Sequence, residues 1–261
     1  LYGYDDESHN GHCSASIESI AISLISGLRG IGRSALSAKP VAFLAHSLGG
    51  VVLKQCLIEL ANSGKSEMFM LQRVKACVFL AVPNRLPGPG ELAAMICSKR
   101  FGDLLRGLQA ARNVGYLSRM SGMLAGIAQA NGIRLCSGYE TMETAIPKQP
   151  HHATAGRTRR SALLLHKKDS IQDGSQHSDQ FPIAKHHRDA VRLQPGSQTI
   201  DTIAACVRDA SDSAPAPLAA SKNANDGSGR WPSVGFPTSW NGIASYFKPS
   251  IRGLLIPYPC E

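Results

Sequence analysis

The sequence has no C-x-x-C pair, no apolar stretch of the roughly eighteen residues that a spanning helix needs, and no self-similarity at solenoid periods. A membrane-spanning helix and a repeat architecture are therefore excluded. The seven cysteines (Cys13, Cys56, Cys77, Cys97, Cys136, Cys206 and Cys260) lack metal or redox spacing. Four of them lie in apolar runs, where cysteine behaves as a small hydrophobe, which points to a reducing compartment. The histidine pairs His151-His152 and His186-His187 lack the i, i+4 helical spacing and the acid motif of a metalloenzyme. No metal and no cofactor is expected. The formal charge of +9 comes without an aromatic-interleaved basic stripe or a nucleic-acid fold motif, so nucleic acid is not expected as a partner. Many of the basic residues fall between Lys148 and Arg192 and read as a solvated loop region, with contact to an anionic membrane surface as the lesser alternative.

What is present is a chain of 261 residues, 43% apolar, with 25 Gly and 15 Pro, enough for one good-sized core joined to loop-rich segments. Ile17, Ile20, Ala21, Leu24, Ile25 and Leu28 share one helical face, with Ser16 as N-cap, Glu18 in the first turn and Gly30 as a stop. The apolar run 41–45 is too short for a helix and suits a strand covered on both faces. It leads into His46-Ser47-Leu48-Gly49-Gly50, after which Val52, Leu53, Cys56, Leu57 and Leu60 repeat at helical spacing. A second strand is expected over 76–82, ending at Pro83, and a third over 133–139, ending at Glu140. A fourth, weaker candidate covers 161–166. Between them, 91–130 reads as two or three helices, with Leu92, Met95, Ile96, Phe101, Leu104, Leu105 and Leu108 facing the core. Strands alternating with helices give an α/β fold with a mainly parallel sheet and helices on both faces. Beyond about Ala205 the periodicity fades, and 211–229 is rich in Ser, Ala, Pro, Asn and Gly. The organisation expected is a domain over 1–205 and a linker or disordered tail over 206–261.

A serine hydroxyl is a poor nucleophile at neutral pH, so it must stand on a tight turn, beside a base and beside donors for the oxyanion that forms. Ala45-His46-Ser47-Leu48-Gly49 has the small-x-Ser-x-small pattern of such a turn and lies between a buried strand and an amphipathic helix. Ala45 and Gly49 are small where strand and helix approach closely, Ser47 takes a strained backbone conformation, and the amide of Leu48 is one oxyanion donor. The order serine, acid, histidine, with the last two on loops after later strands, selects Glu140 and then His177. Asp169, Asp173 and Glu143 are alternative acids in the same region. His46 reads as a structural part of the turn rather than the base.

These residues resemble a family. Leu1-Tyr-Gly-Tyr-Asp5, Ala45-His-Ser-Leu-Gly-Gly50 with Val51 to Gln55, Phe79-Leu-Ala-Val-Pro-Asn84, Tyr139-Glu-Thr141, Ser161-Ala162 and His177-Ser178 look like successive blocks of the serine-active-site-containing, DUF676-like fungal lipases. Those proteins are relatives of the glycosylphosphatidylinositol inositol-deacylases. The resemblance spans about residues 1–192 and implies an α/β-hydrolase fold and a serine ester hydrolase, of lipase or esterase type, acting on a lipid or another acyl ester. It also implies an intracellular location, cytoplasmic or peripheral on mitochondrial or endoplasmic-reticulum membranes. It assigns Ser47 as nucleophile, Glu140 as acid and His177 as base. Three departures stand out. Val82-Pro83-Asn84-Arg85-Leu86 occupies the place of Thr-Pro-His-x-Gly, Gln176 precedes His177 where Asp is common, and the His-Gly loop carrying the second oxyanion donor would precede Leu1. The first strands of the fold are then expected to lie upstream. A decayed hydrolase serving as an interaction or signalling module is the alternative.

Overall fold

A computed structural model describes residues 16–32, 40–86, 88, 115–145, 161–172 and 178–212. Helix α1 (Ile17–Gly32) opens on Ser16, whose hydroxyl oxygen accepts the Ser19 amide at 3.2 Å, and continues two residues past Gly30. Strand β1 (Val41–His46) then runs directly into helix α2 (Ser47–Asn62), which is followed by α3 (Lys65–Leu71) and β2 (Val74–Leu80). Helix α4 (Tyr116–Asn131) and β3 (Arg134–Glu140) come next. Of the helices expected over 91–130, those before residue 115, with all seven of their core-facing residues, lie outside the described residues.

The four-stranded sheet has the order β1-β2-β3-β6, and every neighbouring pair is parallel. Its last member, β6, is Ser178–Ile183, where a loop was expected. The expected fourth strand over 161–166 shrinks to β5 (Ser161–Ala162), which pairs antiparallel with β4 (Thr144–Ala145) in a separate ribbon and is followed by the one-turn helix α5 (Lys167–Ser170). The reason lies in position. Among the described residues β6 pairs only with β3, so it needs one apolar face rather than two. Phe181 and Ile183 bury while Gln180 and Pro182 point outward, and an edge strand tolerates the missing amide of Pro182.

Side chains alternate across the sheet, so each strand feeds two cores. Cys77 and Phe79 of β2 join Leu24, Leu53, Leu57 and Leu124 on the face covered by α1, α2 and α4. Val78 and Leu80 turn to the opposite face, with Cys136, Phe181, Ile183 and Cys206. That second face is covered by helix α6 (Gln198–Asp212), which buries Cys206 and Ala210 and extends past the boundary expected at residue 205. Residues 213–261, the remainder of the expected tail, lie outside the described residues. A disulfide joins Cys136 of β3 to Cys206 of α6, whereas Cys56 and Cys77 are free thiols buried in the first core. The reading of cysteines as small hydrophobes fits Cys56 and Cys77, whereas Cys136 and Cys206 are paired. No described helix is long and apolar enough to cross a membrane.

Candidate functional site

The site forms at the carboxyl ends of the parallel strands, where successive strands deliver their following loops to one edge. His46, the last residue of β1, is extended at φ −122° and ψ 141°. Ser47 then swings to φ +50°, a region a non-glycine residue enters at a cost of about 1–3 kcal/mol, and the helix begins at once. The reversal lifts the hydroxyl out of the sheet while Ala45 and Leu48 on either side stay buried.

One expectation about this turn shifts by a residue. A Cβ built on Gly49 meets nothing within 4 Å, whereas one on Gly50 would fall 2.2 Å from Cγ2 and 2.9 Å from Cβ of Val82. The close approach that demands a missing side chain is therefore between Gly50 and the segment leaving β2, because Gly49 looks away from the sheet.

The Ser47 hydroxyl oxygen lies 2.9 Å from Nε2 of an imidazole, and the other ring nitrogen, Nδ1, lies 2.9 Å from Oε2 of Glu140. That imidazole belongs to His187, not to His177, which lies outside the described residues. The chain-order rule places the base after the last strand. With that strand at Ser178–Ile183, the loop following it carries His187 in a short 3-10 turn (His187–Asp189). Both side chains of the His187–Glu140 pair are buried, at 1% and 0% exposure, so water does not compete for their contact. The second carboxylate oxygen of Glu140 accepts the Leu165 amide at 2.7 Å, which fixes the plane of the carboxylate.

None of the alternative acids among the described residues meets the His187 ring. Glu143 accepts a short hydrogen bond from the Ser161 hydroxyl in the β4–β5 ribbon. Asp169 sits in the short helix after β5 and does not meet His187, whose Nδ1 is taken by Glu140, and Asp173 lies outside the described residues. Of the two histidine pairs, His151-His152 also lies outside them. His187 has both ring nitrogens engaged by Ser47 and Glu140. The amide of Leu48, in the first turn of α2, has no intrahelical acceptor and stands beside the Ser47 hydroxyl in sequence, as the turn requires of an oxyanion donor.

Further along α2 lies a buried polar cluster that sequence reasoning missed. Lys54 is 1% exposed in the middle of α2, and its ammonium group donates to Asn84 Oδ1 and to the Ser121 hydroxyl, the latter at 3.1 Å. The Ser121 hydroxyl also donates to Asn84 Oδ1 at 2.9 Å, and Gln172 donates to the Ser121 carbonyl at 2.6 Å. Burial pushes the Lys54 ammonium down to about 7. Asn84, the departure in the Val82-Pro83-Asn84 block, thus points into this cluster. A lysine among Val51, Val52, Leu53, Cys56 and Leu57 was the available signal, since lysine is rarely fully buried unless paired.

Comparison with known proteins gives no matching family model, no matching curated protein and no matching solved structure.

Proposed function

We propose that this chain is an α/β-hydrolase-type serine ester hydrolase, acting by acyl transfer from a lipid or another acyl ester to water. The observation that carries the reading is the continuous Ser47–His187–Glu140 hydrogen-bonded chain on a serine of positive φ. A surface serine gains nothing from such a backbone, whereas a nucleophile needs it to clear the sheet edge. In the reaction, His187 Nε2 takes the proton as Ser47 Oγ attacks the ester carbonyl, and the Leu48 amide shares the charge that develops on the carbonyl oxygen. Glu140 holds the Nδ1 proton and stabilises the imidazolium. His187 then returns its proton to the departing alkoxide, leaving an acyl-serine. A water that loses its proton to the same nitrogen attacks that ester, and the acid departs as Ser47 regains the proton.

Membership of the DUF676-like lipase group, and peripheral contact with a membrane through the basic region between Lys148 and Arg192, belong to the same proposal. Vesicle binding that weakens with salt supports the membrane contact, and salt-independent binding rules it out. The catalytic reading is tested with a fluorophosphonate probe, which phosphonylates an activated serine. The chain is expected to be labelled and its Ser47→Ala variant is not. Equal labelling of the two removes Ser47 as nucleophile, and no labelling of either favours the non-catalytic module.

A further inference from the structure

The loop that carries His187 is held at its backbone as well as at its ring, and the second hold comes from the residue that precedes the nucleophile. The His187 amide donates to the Thr144 hydroxyl oxygen at 3.0 Å. The His187 carbonyl lies 2.9 Å from Nε2 of His46. Residue 187 is therefore gripped by the chain just after β3 and by the end of β1, from opposite sides of its own peptide units.

We infer that His46 is a positioning residue that sets the placement of the His187 imidazole by donating its Nε2 proton to the His187 carbonyl. The inference rests on the catalytic reading above, and the direction of the bond follows from elementary chemistry. A carbonyl oxygen only accepts, so the proton must sit on Nε2 of His46. His46 is 6% exposed, and Nδ1 finds no hydrogen-bond partner among the described residues. A second proton there would leave a buried cation with an unmet donor. Burial, reinforced by the neighbouring His187 and opposed by the bond to its backbone, lowers His46 to about 3, so the ring stays neutral. The ring centroids of His46 and His187 are 5.1 Å apart and tilted by 42°, and neither ring nitrogen of His46 is hydrogen-bonded to Ser47 Oγ. A neutral, singly protonated ring so placed orients the base and cannot replace it.

The consequence is that the residue before the nucleophile couples the β1 end of the site to the loop after β6. Leucine at 46 keeps the apolar volume and removes the donor, while glutamine restores an N–H within reach of the carbonyl. The test compares the chain with His46→Leu and His46→Gln. Two readouts are used: the rate of fluorophosphonate labelling at saturating probe, and the low-field proton resonance of the His187 Nδ1–H···Glu140 bond, assigned by its loss in Glu140→Gln. His46→Leu is expected to slow labelling by roughly ten- to a hundredfold and to broaden or lose the low-field proton. His46→Gln is expected to recover both in large part. Wild-type behaviour of His46→Leu in both readouts, or a folded His46→Gln no better than His46→Leu, overturns the inference. If the unsubstituted chain is not labelled at all, the catalytic reading fails alone, because the low-field proton still reports whether His46 sets the His187 geometry.

Discussion

The two faces of the sheet are built differently. On one, α1, α2 and α4 bury a continuous apolar layer in which Leu53, Leu57 and Leu124 are wholly inaccessible, and no described covalent link joins the layers. On the other, α6 contributes Cys206 and Ala210 with partial cover from Ile203 and Val207, and the helix is tied down by the Cys136–Cys206 disulfide. Arg134 adds a polar tie on the same side, bridging Asp179 of β6 and Asp209 of α6. The contrast runs through the site as well. Ser47 heads the thickly packed helix α2, whereas His187 sits on the loop between β6 and α6, on the thinly covered side. Ser47 is thus fixed by local chain geometry and a large core. His187 depends on a staple, on Thr144 and His46, and on the pairing of β6 with β3.

The sharpest way to break this assignment is at the histidines. His187→Ala is expected to lower fluorophosphonate labelling at least about a thousandfold, and Glu140→Gln by about a hundredfold or more, while His177→Ala leaves it near that of the unsubstituted chain. The reverse ranking of the two histidines would overturn the geometry. Next in size is the comparison of the faces by urea unfolding. Leu53→Ala, a cavity in the thick face, is expected to cost about 2–5 kcal/mol. The double substitution Cys136→Ser with Cys206→Ser should cost about 2–4 kcal/mol, because a separation of 70 residues leaves a long loop unconstrained in the unfolded chain. A loss below about 0.5 kcal/mol for the second would show that the thin face holds without its staple.

How much of this was legible before the structure follows the same division. β1, β2 and β3 are short segments bounded by breakers. β2 and β3, the central strands, are largely buried on both faces, whereas β1 stands at the outer edge of the described sheet with Ala42 exposed and is legible from its apolar sequence alone. Ser47 was visible because the turn that exposes it is built from adjacent residues, and Glu140 because it ends one of those runs. β6 was hidden because an edge strand needs only Phe181 and Ile183, and Ser178, Asp179, Gln180 and Pro182 give it the look of a loop. With β6 unread, the histidine chosen after the last strand was His177, outside the described residues, rather than His187, whose ring meets Ser47. The face of α6 was present in Ile203, Cys206, Val207 and Ala210, at helical spacing, but the polar residues around it made the periodicity appear to end at Ala205. The disulfide had no sequence signal, since its two cysteines meet only once the sheet and the last helix are assembled.

A smaller effect separates the buried charges of the thick face from its apolar contacts. Lys54 ionises near 7 in the folded chain against 10.5 unfolded, so between those values the unfolded chain binds the proton and the folded chain does not. Stability therefore rises with pH across that window, by on the order of 1–2 kcal/mol between pH 7 and pH 8.5. Lys54→Met should abolish the rise, which urea titrations at the two pH values would detect. Above about pH 9 the trend is opposed, because burial raises the Cys56 and Cys77 thiols and the unfolded chain then releases protons that the folded one retains. His46 works in the acid direction. With its folded value near 3 and its ordinary value at 6.5, stability falls as pH drops through that interval.

The smallest expected effect tests whether the thin face relies on its polar tie. The Arg134 guanidinium meets Asp179 at 2.6 Å and Asp209 at 3.2 Å, but the two carboxylates are about half exposed, at 46% and 53%. Solvent screening at that exposure limits the pair to about 1 kcal/mol or less, below the disulfide on the same side. Arg134→Gln is therefore expected to lower the unfolding free energy by at most about 1 kcal/mol with the disulfide intact, and to do so less in high salt. A larger loss would mean that Arg134, at the start of β3, sets the seating of α6, and that the disulfide only locks a position already chosen.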